Sequence, residues 1–183
     1  MLRAELLQDC GRSLNPAIDL GQIEGAFVQG MGWLTTEELW WDAEGHLRTH
    51  GPSTYKIPGS RDVPPVFNAR ILGDAPNREA TIFRSKAVGE PPLMLAISVW
   101  LAIRDAIASL ADFRLAPHLD APATPERVLA AIDDLRGRRG RRPRLMPRAW
   151  RYLRTTSWAS VDATVQANSN PKRLANRRIG TLP

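Results

Sequence analysis

The sequence is short of the residues that self-contained redox or secreted proteins rely on. It has one cysteine, Cys10. No internal disulfide framework is possible, and the chain cannot by itself hold an iron–sulfur cluster, which normally takes four thiolates. A lone thiol fits a reducing compartment, so a cytoplasmic location is expected. A secretory leader is missing as well, because Met1-Leu2-Arg3-Ala4-Glu5 brings in an acid before any apolar run. The longest uncharged stretch, Pro91 to Ile103, is 13 residues and opens with two prolines, which reads as too short to cross a bilayer. His46, His50 and His118 lack metal-ligand spacing, and no glycine-rich phosphate loop or nucleophile motif is present.

Acidic residues all but vanish from the C-terminal quarter. Residues 1–136 carry 13 Lys+Arg against 18 Asp+Glu, whereas residues 137–183 carry 12 Lys+Arg against Asp162 alone. The net charge of +6 therefore belongs to the end of the chain, and the change of sign sets an expected boundary at Arg136-Gly137. The tail opens with Gly137-Arg138-Arg139-Gly140-Arg141-Arg142-Pro143-Arg144 and has no clear apolar period. One reading is a nucleic-acid-binding arm with Trp150, Tyr152 and Trp158 for stacking. The other is an accidental C-terminus whose arginines reflect the base composition of its gene. Disordered basic arms rarely carry so many tryptophans and leucines, so the second is preferred and nucleic acid is not an expected partner.

Ahead of the boundary, the pattern predicts mixed helix and strand. A strand ends at Leu2 to Leu7, and a turn follows at Asp9 to Arg12. Asn15-Pro16 interrupts the chain, and a helix is predicted from about Ala17 to Thr35. Its residues Leu20, Ile23, Phe27, Met31 and Leu34 recur at steps of three and four and form one apolar stripe. On the other side Gly21, Gly25 and Gly32 align, with Gln22 and Gln29 beside them. Each helical glycine costs roughly 1 kcal/mol relative to alanine, so the glycines point to close approach by a backbone or a ligand. Glu37–Trp41 and His46–His50 read as a hairpin, with Trp40-Trp41 in core or interface packing. Further strands are predicted at Val66–Leu72 and Ala80–Phe83, and helices from Pro91 or Pro92 to about Leu110 and from Pro125 to about Leu135, the last capped by Thr124.

Glu90 stands at the start of the most apolar helix, whose first half, Met94 to Ile103, is hydrophobic nearly all round and should be buried. Desolvation would then disfavour its carboxylate while the helix dipole and free N–H groups favour it, a balance that can poise a general base. The plainer reading is a helix cap with Lys86 as its ion partner.

The segment Lys86-Ala87-Val88-Gly89-Glu90-Pro91-Pro92-Leu93 resembles the Gly-Glu-Pro-Pro motif of the molybdenum hydroxylases, most closely the xanthine dehydrogenases, in which this glutamate is the catalytic base. Residues Asn15 to Gly30 resemble the cofactor-side helix of that family, and Gly51-Pro52-Ser53-Thr54-Tyr55-Lys56-Ile57-Pro58 resembles its following loop. All three occur in the family's order, and the likeness reaches the Pro125-Glu126-Arg127-Val128-Leu129 helix. It implies an α+β fold, with residues 1–136 forming the C-terminal portion of a molybdopterin-binding domain and 137–183 a basic, disordered tail. It further implies that Glu90 is the base and that Gln22, Gly21 and Gly25 lie against the molybdenum–molybdopterin cofactor. The activity implied is hydroxylation of a purine, hypoxanthine or xanthine to urate, with water as the oxygen source.

Iron–sulfur clusters and FAD would sit on other domains or subunits. The partners implied are the remainder of the molybdenum subunit, an iron–sulfur/FAD subunit and a small heterocyclic substrate, with no membrane. Because those parts are missing here, the chain is expected to be a fragment and inactive alone. The competing reading is a non-enzymatic remnant, or a basic-tailed nucleic-acid-binding module that keeps the fold without the cofactor.

Overall fold

The computed structural model describes residues 1–73 and 75–139. The expected tail lies almost wholly outside these residues. Strand β1 (Arg3–Gln8) runs into helix α1 (Pro16–Thr35), and the chain returns to strand β2 (Val66–Ile71), which pairs with β1 in parallel. The register runs from Arg3 opposite Val66 to Gln8 opposite Ile71. Parallel strands need a long crossover, and α1 lies within it. The mixture of helix and strand expected for this fold class is present.

Helix α1 begins where Asn15-Pro16 predicted. Asn15 is extended, its Oδ1 accepts the Ile18 N–H, and Pro16 occupies the first turn, where a missing N–H costs nothing. The apolar stripe also behaves as its period requires. Ile23, Phe27 and Met31 are buried, and they pack with Ala4 and Leu6 of β1, Cys10, Ala96 and Val99 into one core. Phe27 and Phe67 stack across it in a tilted arrangement, ring centroids 5.6 Å apart.

The predicted helix after Glu90 is two pieces, a 3₁₀ stretch at Pro91–Ala96 and then α2 (Ile97–Ser109). Pro91 and Pro92 stand in the first turn, where their missing N–H groups cost nothing, and the stretch closes in 3₁₀ turns before the α-helical ladder begins. A second core gathers Ile107, Ala111, Leu115, Leu119 and Ala123 against Ala131 and Leu135 of α3 (Pro125–Arg139). The Thr124 hydroxyl accepts the Arg127 N–H at the start of α3. Helix α3 continues through Arg136-Gly137 to Arg139, held by Arg138 on Asp134 and on the Ala116 carbonyl.

Three expectations need correction. Ala80–Phe83 is not a strand. It leads into a 3₁₀ turn at Ile82–Arg84, where Phe83 and Arg84 take positive φ and the Arg84 guanidinium donates to the carbonyls of Asn77, Arg78 and Glu79. The hairpin is reduced to one bridge between Trp41 and Leu47, and Trp40 and Trp41 are more than half exposed, so they are not core. The apolar helix is buried on only one side. Ala96, Val99, Ile107 and Ala108 pack inward, while Met94, Ile97 and Leu101 are exposed, because α1 and α3 cover part of its circumference and no other described element covers the rest. By length and composition alone the run Pro91–Ser109 could cross a membrane, which the 13-residue uncharged stretch had argued against. Here its inner face serves both cores.

Candidate functional site

Helix α1 presents one face away from the core. Gly21, Gln22, Gly25 and Gln29 all lie exposed on it. A methyl group added at Gly21 or at Gly25 would meet nothing within 4 Å, so neither glycine serves packing among the described residues. The predicted stripe therefore divides. Gly32 packs tightly, since a Cβ there would fall 2.5 Å from the ring of Pro58, whereas Gly21 and Gly25 leave open space.

The structure brings this face to the segment that carries Glu90. A Cβ built on Gly89 would lie 3.8 Å from Gln22 Oε1, so the glutamine side chain sits directly beside the residue before the glutamate. What holds the two segments at this spacing is Gly30, which the sequence reading passed over. A Cβ on Gly30 would come within 2.6 Å of the Leu93 carbonyl oxygen and 2.7 Å of Ala96 Cβ. Pro92, fully buried, and Ala96 then fix the 3₁₀ stretch to the core. The available signal was a glycine adjoining the apolar stripe, between Phe27 and Leu34, rather than on the polar side.

Glu90 occupies the capping position but does not cap. Its backbone is near helical (φ −95°, ψ −40°) and its side chain accepts no hydrogen bond from the helix start. Lys86, proposed as its ion partner, is engaged elsewhere, on Asp9. The expected burial of Glu90 is also absent. The carboxylate is exposed in this chain, since the outer side of the helix behind it is uncovered.

Two other features lie apart from these residues. A cleft of about 580 Å³ opens between the C-terminal end of α1 and α2, lined by Met31, Thr35, Lys56, Val99 and Ile103 among others, and contains none of the expected site residues. Asp42, Glu44 and His46 converge at the hairpin turn, their ligand atoms within 4.8 Å of one another. Sequence spacing did not reveal this group. The Asp42 carboxylate is already committed to the N–H groups of Glu44 and His46 and to Arg48. Those bonds hold it below the usual carboxylate range, the His46 N–H contributing most.

Residues 1–64 match the molybdopterin cofactor-binding domain family. Over 73% of its length the chain is 51% identical to the xanthine dehydrogenase/oxidase of Mus musculus and 56% identical to the xanthine dehydrogenase of Dictyostelium discoideum. The matched stretch is similar to one segment of these molybdopterin-dependent relatives. A nicotinate hydroxylase of Emericella nidulans is 49% identical over the same share of the chain. Among solved structures, quinoline 2-oxidoreductase from Pseudomonas putida 86 superposes with a TM-score of 0.61 at 30% identity, covering 72% of this chain and 16% of its own. A copper- and molybdenum-containing CO dehydrogenase shares the fold at 21% identity, with a TM-score of 0.58, over 70% of this chain and 16% of its own. The chain spans about a tenth of the length of the curated relatives it matches.

The open face of α1 fits one wall of a molybdenum–pterin site. Two glycines without neighbours leave room for a flat group to approach the helix, and Gln22 offers both a donor and an acceptor at its edge.

Proposed function

We propose that residues 1–139 supply the base-bearing wall of a hydroxylase active site that oxidises an electron-poor heterocycle of the purine type, hypoxanthine or xanthine. The observation that carries this is the unused carboxylate of Glu90. It is exposed and caps no helix end, and it follows the glycine that touches Gln22 on the open glycine face of α1. When bound, the molybdenum–pterin group supplies oxygen transfer and takes up the electron pair released as a ring C–H and water become C–OH. Glu90 receives a proton at its carboxylate oxygen, as a general base within reach of the reacting O–H must. Gln22 orients the cofactor's edge, and Gly21 and Gly25 keep that approach clear. The exposure of Glu90, Met94, Ile97 and Leu101 supports reading the site as one wall of two. The remainder of a molybdenum subunit would close it, and an iron–sulfur/FAD subunit would carry the electrons away.

The test is a graft of residues 1–139 into a full-length xanthine dehydrogenase relative, with turnover normalised to bound molybdenum. Glu90→Gln should lower that turnover by about 10²–10⁴-fold, the usual cost of losing acid–base catalysis. The melting temperature should not move, because Glu90 makes no capping bond to lose. Near-normal normalised turnover would end the assignment of Glu90. Comparing hypoxanthine with nicotinate as substrate separates a purine hydroxylase from a pyridine one.

A further inference from the structure

The segment that carries Glu90 is attached to the end of β1 by a closely built clasp. The Lys86 N–H donates to the Cys10 carbonyl at 2.8 Å, the Arg12 N–H donates to the Arg84 carbonyl at 3.0 Å, and Gly11 bridges Ser85 in antiparallel fashion. Gly11 is indispensable to this geometry. Its φ is +63°, and a Cβ there would stand 2.5 Å from the Arg84 carbonyl oxygen. Asp9 ties the two sides together, accepting the Gly11 N–H on Oδ1 and the Lys86 ammonium on Oδ2. One end of the clasp is fixed, because Cys10 is 1% exposed within the first core.

The pair's side chains are themselves about one-third exposed, and ion pairs of that kind contribute little to overall stability. Its effect is therefore geometric. Lys86 is four residues before Glu90, and among the described residues Ala87, Val88 and Gly89 make no backbone hydrogen bond between the clasp and the turn in which Leu93 N–H meets the Glu90 carbonyl. The path of that short span is set by its two ends. One is the clasp and the other is the 3₁₀ stretch packed on Gly30. Asp9 also keeps the Lys86 ammonium engaged and away from the Glu90 carboxylate.

We infer that Asp9 and Lys86 are positioning residues that hold Gly89 and Glu90 beside Gln22, a role that rests on the proposed part of Glu90 in catalysis. The experiment uses the isotope-labelled 183-residue chain and reads a nuclear Overhauser contact between the Gln22 side-chain amide and the Gly89 Hα. The ring contact between Phe27 and Phe67 reports the core in the same spectra. The expected result is that the Gln22–Gly89 contact is present in the parent chain, lost in Lys86→Met with the ring contact intact, and restored in Lys86→Arg. Asp9→Asn keeps an acceptor for the Gly11 N–H and should lose the Gln22–Gly89 contact as well, which decides the matter if Lys86→Met does not fold. An unchanged contact in both variants overturns the inference. So does its absence from the parent, or loss of both contacts together in both variants, which would make the pair a general support of the fold. None of these readings depends on turnover, so they stand or fall separately from the test of Glu90→Gln.

Discussion

Replacing glycine by alanine along α1 should change sign with position. In a helix interior the replacement gains roughly 0.5–1 kcal/mol, because glycine loses the most backbone freedom on folding. At Gly21 and Gly25 nothing lies within 4 Å of the new methyl, so the gain is realised in full. At Gly30 the methyl would sit 2.6 Å from a backbone carbonyl oxygen and 2.7 Å from Ala96 Cβ, about 0.8 Å or more inside ordinary contact. Overpacking typically costs about 1–3 kcal/mol, and because the nearest atom is a backbone carbonyl oxygen it cannot yield as the end of a flexible side chain would. The net for Gly30→Ala is then a loss of up to about 2.5 kcal/mol, which at roughly 2–4 °C per kcal/mol for a fold of this size lowers the midpoint by up to about 10 °C. Thermal unfolding of the chain followed by circular dichroism measures all three variants on one scale. A Gly30→Ala chain that melts above the parent would refute the close crossing of α1 with the 3₁₀ stretch, and with it the placement of Glu90. In the grafted hydroxylase, Gly21→Ala should raise stability and lower bound molybdenum, a split that packing alone does not produce.

Two further outcomes are expected. The Lys86 ammonium, and after it the Gly11 N–H, hold the Asp9 carboxyl below its ordinary value of 3.8. Its contribution to stability is therefore present above that value and is lost as pH falls through the lower folded-state value. The difference in melting temperature between the parent and Asp9→Asn should be largest near neutral pH and shrink in acid, and a difference that grows on acidification would contradict the pair. The purified chain alone should contain no molybdenum and form no urate, since Gly21 and Gly25 face open space rather than a second wall. Elemental analysis and urate absorbance check this, and stoichiometric metal would show that one wall is enough.

Local chemistry made much of this legible in the sequence. Asn15-Pro16 fixed the start of α1, the three-and-four spacing of Ile23, Phe27 and Met31 named its buried stripe, and Thr124-Pro125 marked the start of α3, because caps and periods act within one or two turns. The octapeptide around Glu90 pointed to the family through its own residues. Tertiary structure decided what depends on distant partners. Only packing separates Gly21 and Gly25, which face space, from Gly30 and Gly32, which meet a carbonyl and a proline ring, since a helical period says which residues share a face but not what lies opposite. Ala80–Phe83 had strand-like composition, yet the carbonyls gathered on Arg84 draw it into a turn. The sequence suggested Lys86 as the ion partner of Glu90, four residues away, whereas the structure pairs it with Asp9, seventy-seven residues away. The bridge between Gly11 and Ser85 brings the end of β1 alongside Lys86, and so leaves the Glu90 carboxylate without a partner among the described residues.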